Sequence, residues 1–138
     1  MSVAVLGVDN VLIAVGDLGE AVRFYAGHLG LPVRMRVEEA GIVLSGLGSE
    51  APGLLARLTP GLAPRPATAS PRLWLEVSDA REAAGVLASS GVAPLAPPFR
   101  VHTGWTVEVA DPWGNVVGLT DYVFHPELAC RREAAGPA

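Results

Sequence analysis

Two stretches of the chain carry the same hydrophobic pattern and end on the same signal. Val11-Leu-Ile-Ala-Val-Gly-Asp17 and Leu73-Trp-Leu-Glu-Val-Ser-Asp79 are short, rich in β-prone side chains, and closed by an Asp. Each Asp opens a helical pattern with Glu three residues later, Glu20 and Glu82. That spacing predicts a capping box, in which the Asp carboxylate accepts an orphan N–H of the first turn. The first helix carries Leu18, Ala21, Val22, Tyr25 and Leu29 at helical spacing and stops at Gly30. The second carries Ala83, Val86 and Leu87 and stops at Gly91. Gly suits the left-handed residue that ends a helix.

Three strand-like runs follow each helix. In the first half they lie at about 32–38, 41–46 and 53–59. In the second they lie at about 92–101, 104–110 and 115–120, the first of them broken by Pro94, Pro97 and Pro98. Asp111-Pro-Trp-Gly-Asn115 reads as the turn between the last two. Residues 60–71 are Pro-rich and form a linker. The tail, 123–138, is expected to hold a short helix from about Pro126 and to fray over 134–138. The fold class is therefore α+β. A βαβββ module at about 7–59 and a second at about 72–122 form a curved mixed sheet around a concave cavity, helices outside, within a single domain 1–138. Ligands favour such concave faces.

Composition narrows the function classes. Half of the 138 residues are apolar and 17% are charged, which excludes a disordered, collagen-like or coiled-coil chain. A chain of this length buries about two-thirds of its unfolded surface. Apolar runs such as Val11–Val15 are too short to span a bilayer. The formal net charge is −4 and the ten basic residues, all Arg, are scattered, so neither nucleic acid nor a membrane is expected as a partner. Met1-Ser2-Val3 has no basic n-region, so no signal peptide is expected and the expected location is the cytoplasm. A lone Cys130 excludes an internal disulfide and a Cys-based zinc site.

The wording of several segments resembles a known family. Val15-Gly-Asp17, Ala21-Val-Arg-Phe-Tyr25, Leu29-Gly-Leu31 and Asp111-Pro-Trp-Gly-Asn115 are similar to motifs of the vicinal oxygen chelate superfamily, which contains glyoxalase I, extradiol dioxygenases, and fosfomycin and bleomycin resistance proteins. The resemblance covers about residues 7–122. It implies a metal site built from four strand positions. Two lie seven residues before each helix-opening Asp, here Asn10 and Arg72. One lies three residues after Asn115, here Gly118, and counting back by 61 gives Arg57 as the fourth. The enzyme-like set would be His, Glu, His or Gln, and Glu. A guanidinium is always protonated and has no lone pair to offer a metal. No metal, no cofactor and no catalytic residue is therefore assigned. The resemblance then points to the metal-free, bleomycin-resistance-like branch: a homodimer that sequesters an antibiotic-like or other planar aromatic molecule. The alternative is a superfamily enzyme, an isomerase, cyclase or lyase, using Glu76 or Glu108 as base.

Strand alternation then sorts the faces. With position 72 turned to the cavity, Trp74 and Glu76 share its face, while Leu73, Leu75 and Val77 pack under the helix. The inferred floor is Asn10, Arg57, Arg72, Trp74, Glu76 and Thr120. Trp74 offers a stacking surface, and the two Arg suit a carboxylate or ionised phenol. An Arg72–Glu76 ion pair is the plainer reading of the same residues. Trp105 alternates with Val107 and Val109, which is a core pattern; with His102, at the rim beside Phe99, it completes the candidate ligand contacts. Trp113 reads as a turn cover or a dimer contact. His28, His125 and Cys130 need no functional role. Free sheet edges also favour a homodimer.

Overall fold

The computed structural model describes residues 4, 6, 8–48, 52–66 and 71–130. The Met1–Val3 start, part of the linker and the end of the tail, 131–138, where fraying is expected, lie outside these described residues. The first half runs β1 (Asn10–Val15), α1 (Leu18–Val22), β2 (Val33–Val37), β3 (Ile42–Gly46) and β4 (Gly53–Leu58). The second runs β5 (Arg72–Glu76), α2 (Ala80–Ser89), β6 (Phe99–Arg100), β7 (Trp105–Ala110) and β8 (Val116–Thr120). Each half thus gives its own four-stranded sheet, ordered β1-β4-β3-β2 and β5-β8-β7-β6. In both, the first strand pairs parallel with the last and the other pairings are antiparallel. The βαβββ plan read from the sequence is the plan of the fold, as two mixed sheets.

The Asp side of both capping boxes forms. Asp17 Oδ1 accepts the Glu20 N–H at 2.8 Å and Asp79 Oδ1 accepts the Glu82 N–H at 3.0 Å. Three expectations change. The first helix continues beyond Val22 as a π-helical stretch, Arg23–His28, in which the Leu29 N–H reaches the Phe24 carbonyl. The stripe of α2 that meets the core is Ala80, Ala84 and Leu87, and Val86 faces solvent, because the helix starts at Ala80 and the 3.6-residue period runs from there. The run 92–101 shrinks to the two residues of β6, since three prolines remove ladder donors from it.

The chain divides into two compact units. The first comprises residues 1–69 together with the turn Asp111–Asn115, and the second comprises 70–110 and 116–138. In the first unit, Val15, Leu18, Ala21, Val43, Ala56 and Trp113 form the core cluster. Trp113 is therefore core rather than a dimer contact. Its turn is held by the buried Asp111 carboxylate, which accepts from the Tyr25 hydroxyl, the Trp113 and Asn115 N–H groups and the Asn115 side-chain amide. Gly114 in this turn has φ +86, and a Cβ there would overlap the Arg65 carbonyl oxygen, so only Gly fits. In the second unit, the buried Asp121 accepts the Ala80 N–H at the start of α2 and the Trp105 N–H at the start of β7, both at 2.8 Å.

Burial, then the charge of Asp111 and the hydrogen bond to it, push the Tyr25 hydroxyl far above the ordinary phenol value of about 10. A raised folded-state pKa means that the folded chain favours the neutral phenol. The stability this contributes is whole below about pH 10 and is lost as the pH climbs above it. Urea midpoints measured across this range should fall for the native protein and fall less steeply for Tyr25→Phe. Parallel curves for the two proteins would contradict the assignment.

Candidate functional site

One face of the second sheet is polar and aromatic. Its rows across β5, β8 and β7 are set by register: Trp74 opposite Gly118 opposite Glu108, and Glu76 opposite Thr120 opposite Thr106. The other face carries Leu73, Leu75, Val107 and Val109, as the alternation of the sequence predicts. Trp74 is 42% exposed although it is the largest side chain on its strand. Its indole lies over Gly118, with Nε1 2.6 Å and Cγ 3.0 Å from where a Cβ of that Gly would stand. A side chain at position 118 would displace the ring.

Two donors converge on one carboxylate oxygen beside it. Glu108 Oε2 accepts the Trp74 indole N–H at 3.0 Å and lies 3.0 Å from Arg72 Nε. The indole is thereby held in one orientation on an open face. The expected Arg72–Glu76 pair is replaced by Arg72–Glu108, because β8 brings β7 across to Arg72. Glu76 Oε1 instead accepts the backbone N–H of Cys130 at 2.8 Å. The Arg72–Glu108 pair is partly solvated, and such pairs add at most about 1 kcal/mol to stability. Phe99, opposite Thr106 in the register, extends the aromatic surface with its ring centroid 6.3 Å from that of Trp74.

The other expected contacts divide. Thr120 lies on this face but is buried, and its hydroxyl shares a 2.7 Å hydrogen bond with Thr106. Trp105 lies on the opposite face, where the Arg81 guanidinium of α2 sits 4.5 Å from its ring centroid. This is the face that Val107 and Val109 predicted. His102 stacks on His125 at 4.8 Å, in the loops flanking β7 and the tail. Neither Trp105 nor His102 joins the Trp74 face. The members that the sequence reading did not place in the floor are Glu108 and Phe99. The alternation of Thr106 and Glu108 against Val107 and Val109 was the signal for Glu108.

Asn10 and Arg57 belong to the first unit. Asn10 Oδ1 accepts the Gly53 N–H at 3.0 Å and ties the start of β1 to β4. Arg57 stands opposite Ala14, at the edge of a depression of about 320 Å³ lined by Leu12, Ile13, Ala14, Arg57, Leu58 and Thr59.

A family model described as the Glyoxalase/Bleomycin resistance protein/Dioxygenase superfamily matches residues 7–119. The chain belongs to this superfamily. Among solved structures, a superfamily member from Sphaerobacter thermophilus is similar with a TM-score of 0.67 and 22% identity, over 85% of this chain and 98% of that chain. The trypanothione-dependent glyoxalase I of Leishmania major gives 0.68 and 23%, over 86% and 88%. Lactoylglutathione lyase of Agrobacterium tumefaciens gives 0.65 and 16%, over 84% and 93%. At these identities the likeness establishes the fold. A comparison with curated proteins finds no match.

The superfamily's metal positions can be tested against the side chains present. Register corrects one of them: Leu12 pairs with Leu55 as Trp74 pairs with Gly118, so Leu55, not Arg57, is the counterpart of Gly118. The correction keeps the face and moves two residues along it, because β4 has no turn motif to fix its count. The set is then Asn10, Leu55, Arg72 and Gly118. Leu and Gly bring no donor, a guanidinium has no lone pair, and the Asn10 oxygen is engaged by Gly53. These residues do not fit a divalent metal. No group of three His, Cys, Asp or Glu side chains suited to a metal occurs among the described residues. No helix among them is long and apolar enough to cross a membrane.

Proposed function

We propose that this superfamily member is a metal-independent binding protein that sequesters a planar aromatic small molecule, in the manner of a resistance or self-protection protein. The observation that carries the reading is Trp74. It is an exposed indole held by Glu108 over a Gly, with Phe99 beside it. An aromatic ring already fixed in orientation loses little freedom when a flat ligand stacks on it. Arg72 at the edge of the platform suits an ionised substituent of the ligand. The non-donor residues at the superfamily's metal positions support independence from metal. A homodimer is part of the proposal, supported by exposed Val33 and Met35 on the edge strand β2.

Catalysis by Glu76 or Glu108 is less well supported. The Glu108 oxygen nearest the platform already accepts two N–H donors, and Glu76 already accepts the Cys130 N–H. A general base must reach its substrate's proton directly.

The test is a tryptophan fluorescence titration with glycopeptide, quinone and peptide antibiotics, with EDTA and with added divalent metals. Saturable quenching unaffected by EDTA is expected for at least one class. Trp74→Leu should weaken that binding by about tenfold or more, the usual cost of truncating a central aromatic contact. Quenching that requires metal, or that survives unchanged in Trp74→Leu, would overturn the proposal.

A further inference from the structure

The depression on the first unit offers a chemistry different from that of the Trp74 platform. On the face that Arg57 shares, its walls are Leu12 and Ala14 of β1, with Thr59 just beyond β4. Leu12 is 51% exposed, large for an aliphatic side chain on a strand whose Val15 is wholly buried. The volume of about 320 Å³ lies at the lower end of the roughly 300–1,000 Å³ range of small-molecule sites. Arg57 supplies the one charge among the residues that line it. The β1–β4 register sets Arg57 beside Ala14, whose methyl leaves the guanidinium room. The Arg57 side chain has no ion-pair or hydrogen-bond partner among the described residues, whereas Arg36 pairs with Glu38, Arg72 pairs with Glu108 and Arg65 bonds Asn115.

We infer that this depression is a carboxylate-binding site for a small ligand with an apolar body. A guanidinium is planar, permanently charged, and presents paired N–H groups that match the two oxygens of a carboxylate. The apolar body lies against Leu12 and Ala14, which share the sheet face of Arg57, removing from water surface that the fold leaves bare. The Thr59 hydroxyl, at the end of the depression, is a further donor for a polar substituent. The inference concerns the first unit alone and does not depend on the platform of the second.

The experiment uses 2-naphthoate and its neutral counterpart, 2-naphthamide, titrated by calorimetry into the native protein, Arg57→Gln, Arg57→Lys and Trp74→Leu. The native protein should bind the carboxylate about tenfold more tightly than the amide, the usual margin of one charge-assisted pair. Arg57→Gln should abolish that preference, and Arg57→Lys should keep part of it, having the charge without the fork. Trp74→Leu should keep it whole. Backbone amide shifts in NMR should move at Leu12, Ala14 and Thr59 on adding naphthoate. Arg57 is exposed, so its variants should melt with the native protein. Equal affinity for the two probes, no binding of naphthoate at millimolar concentration, or a preference that survives Arg57→Gln would each overturn the inference. None of these outcomes bears on quenching through Trp74, so this inference and the proposed function can fail separately.

Discussion

Asp111→Ala is expected to lower the stability of the fold by about 3–5 kcal/mol, the loss seen when a buried network is broken at its hub. Asp111 is 5% exposed and its two oxygens accept four hydrogen bonds between 2.7 and 2.9 Å. Each donor stranded without water costs about 1–3 kcal/mol, and entry of water into the space left by the carboxylate recovers part of the sum. In a chain of this length the change corresponds to a fall in Tm of roughly 10–15 °C. Asp111→Asn retains one acceptor oxygen but turns an NH2 group toward donors, so it should fall between native and Ala. Thermal melts of the three proteins check the order. A drop of less than about 1 kcal/mol for Asp111→Ala would mean that the turn holds without its carboxylate.

The second large effect is expected at Asp121. It is 1% exposed and joins the first N–H of α2 to the first N–H of β7. Asp79 already caps α2 through Glu82, so Asp121 satisfies a different orphan donor of the same helix end. Asp121→Ala strands both donors in a buried place and should cost about 2–4 kcal/mol. Gly104→Ala should act in the same direction, because a Cβ there would overlap the Asp121 carboxylate and carbonyl. Native-state hydrogen exchange gives the sharper reading: the Ala80 and Trp105 amides should exchange markedly faster in Asp121→Ala, while the Glu20 amide of the first unit keeps its rate. Equal acceleration at all three would point to global loss of stability rather than the loss of a local tie.

Both carboxylates escaped the reading of the sequence as hubs, and the reason is physical. Asp17 and Asp79 act on the backbone three residues away, so spacing alone announces them. Asp111 reaches Tyr25, 86 residues distant, and Asp121 reaches Ala80, 41 residues distant; no local pattern encodes those meetings. The same division runs through the candidate site. Period-two alternation sorted Trp74 from Leu73 and Leu75, and Trp105 with Val107, because burial of one sheet face imposes it. The partner of Arg72 is two strands away across β8, and pairing order decides it. The π-helical stretch has no side-chain signature, since Phe24 and Tyr25 satisfy an ordinary helical stripe equally well. In the run 92–101, apolar content suggested a strand that its prolines then forbade. Leu55 rather than Arg57 as the counterpart of Gly118 follows from ladder register, which internal repetition approximates only to within a residue or two.

The turn Asp111–Asn115 also sets an order of events during synthesis. Trp113 completes the core cluster of the first unit, and Asp111 supplies the acceptor for Tyr25. A nascent chain that has emerged only through the linker holds β1 to β4 and α1 but lacks both groups. Its Val15, Leu18 and Ala21 then face a vacancy the size of an indole, with the Tyr25 hydroxyl unmatched. About 44 further residues, from the end of the linker at 71 to Asn115, must leave the ribosome before that unit can close, so its apolar surface stays uncovered over that stretch of synthesis. For the same reason the two repeats are not interchangeable cassettes: cutting between them at the linker leaves the N-terminal fragment without its keystone.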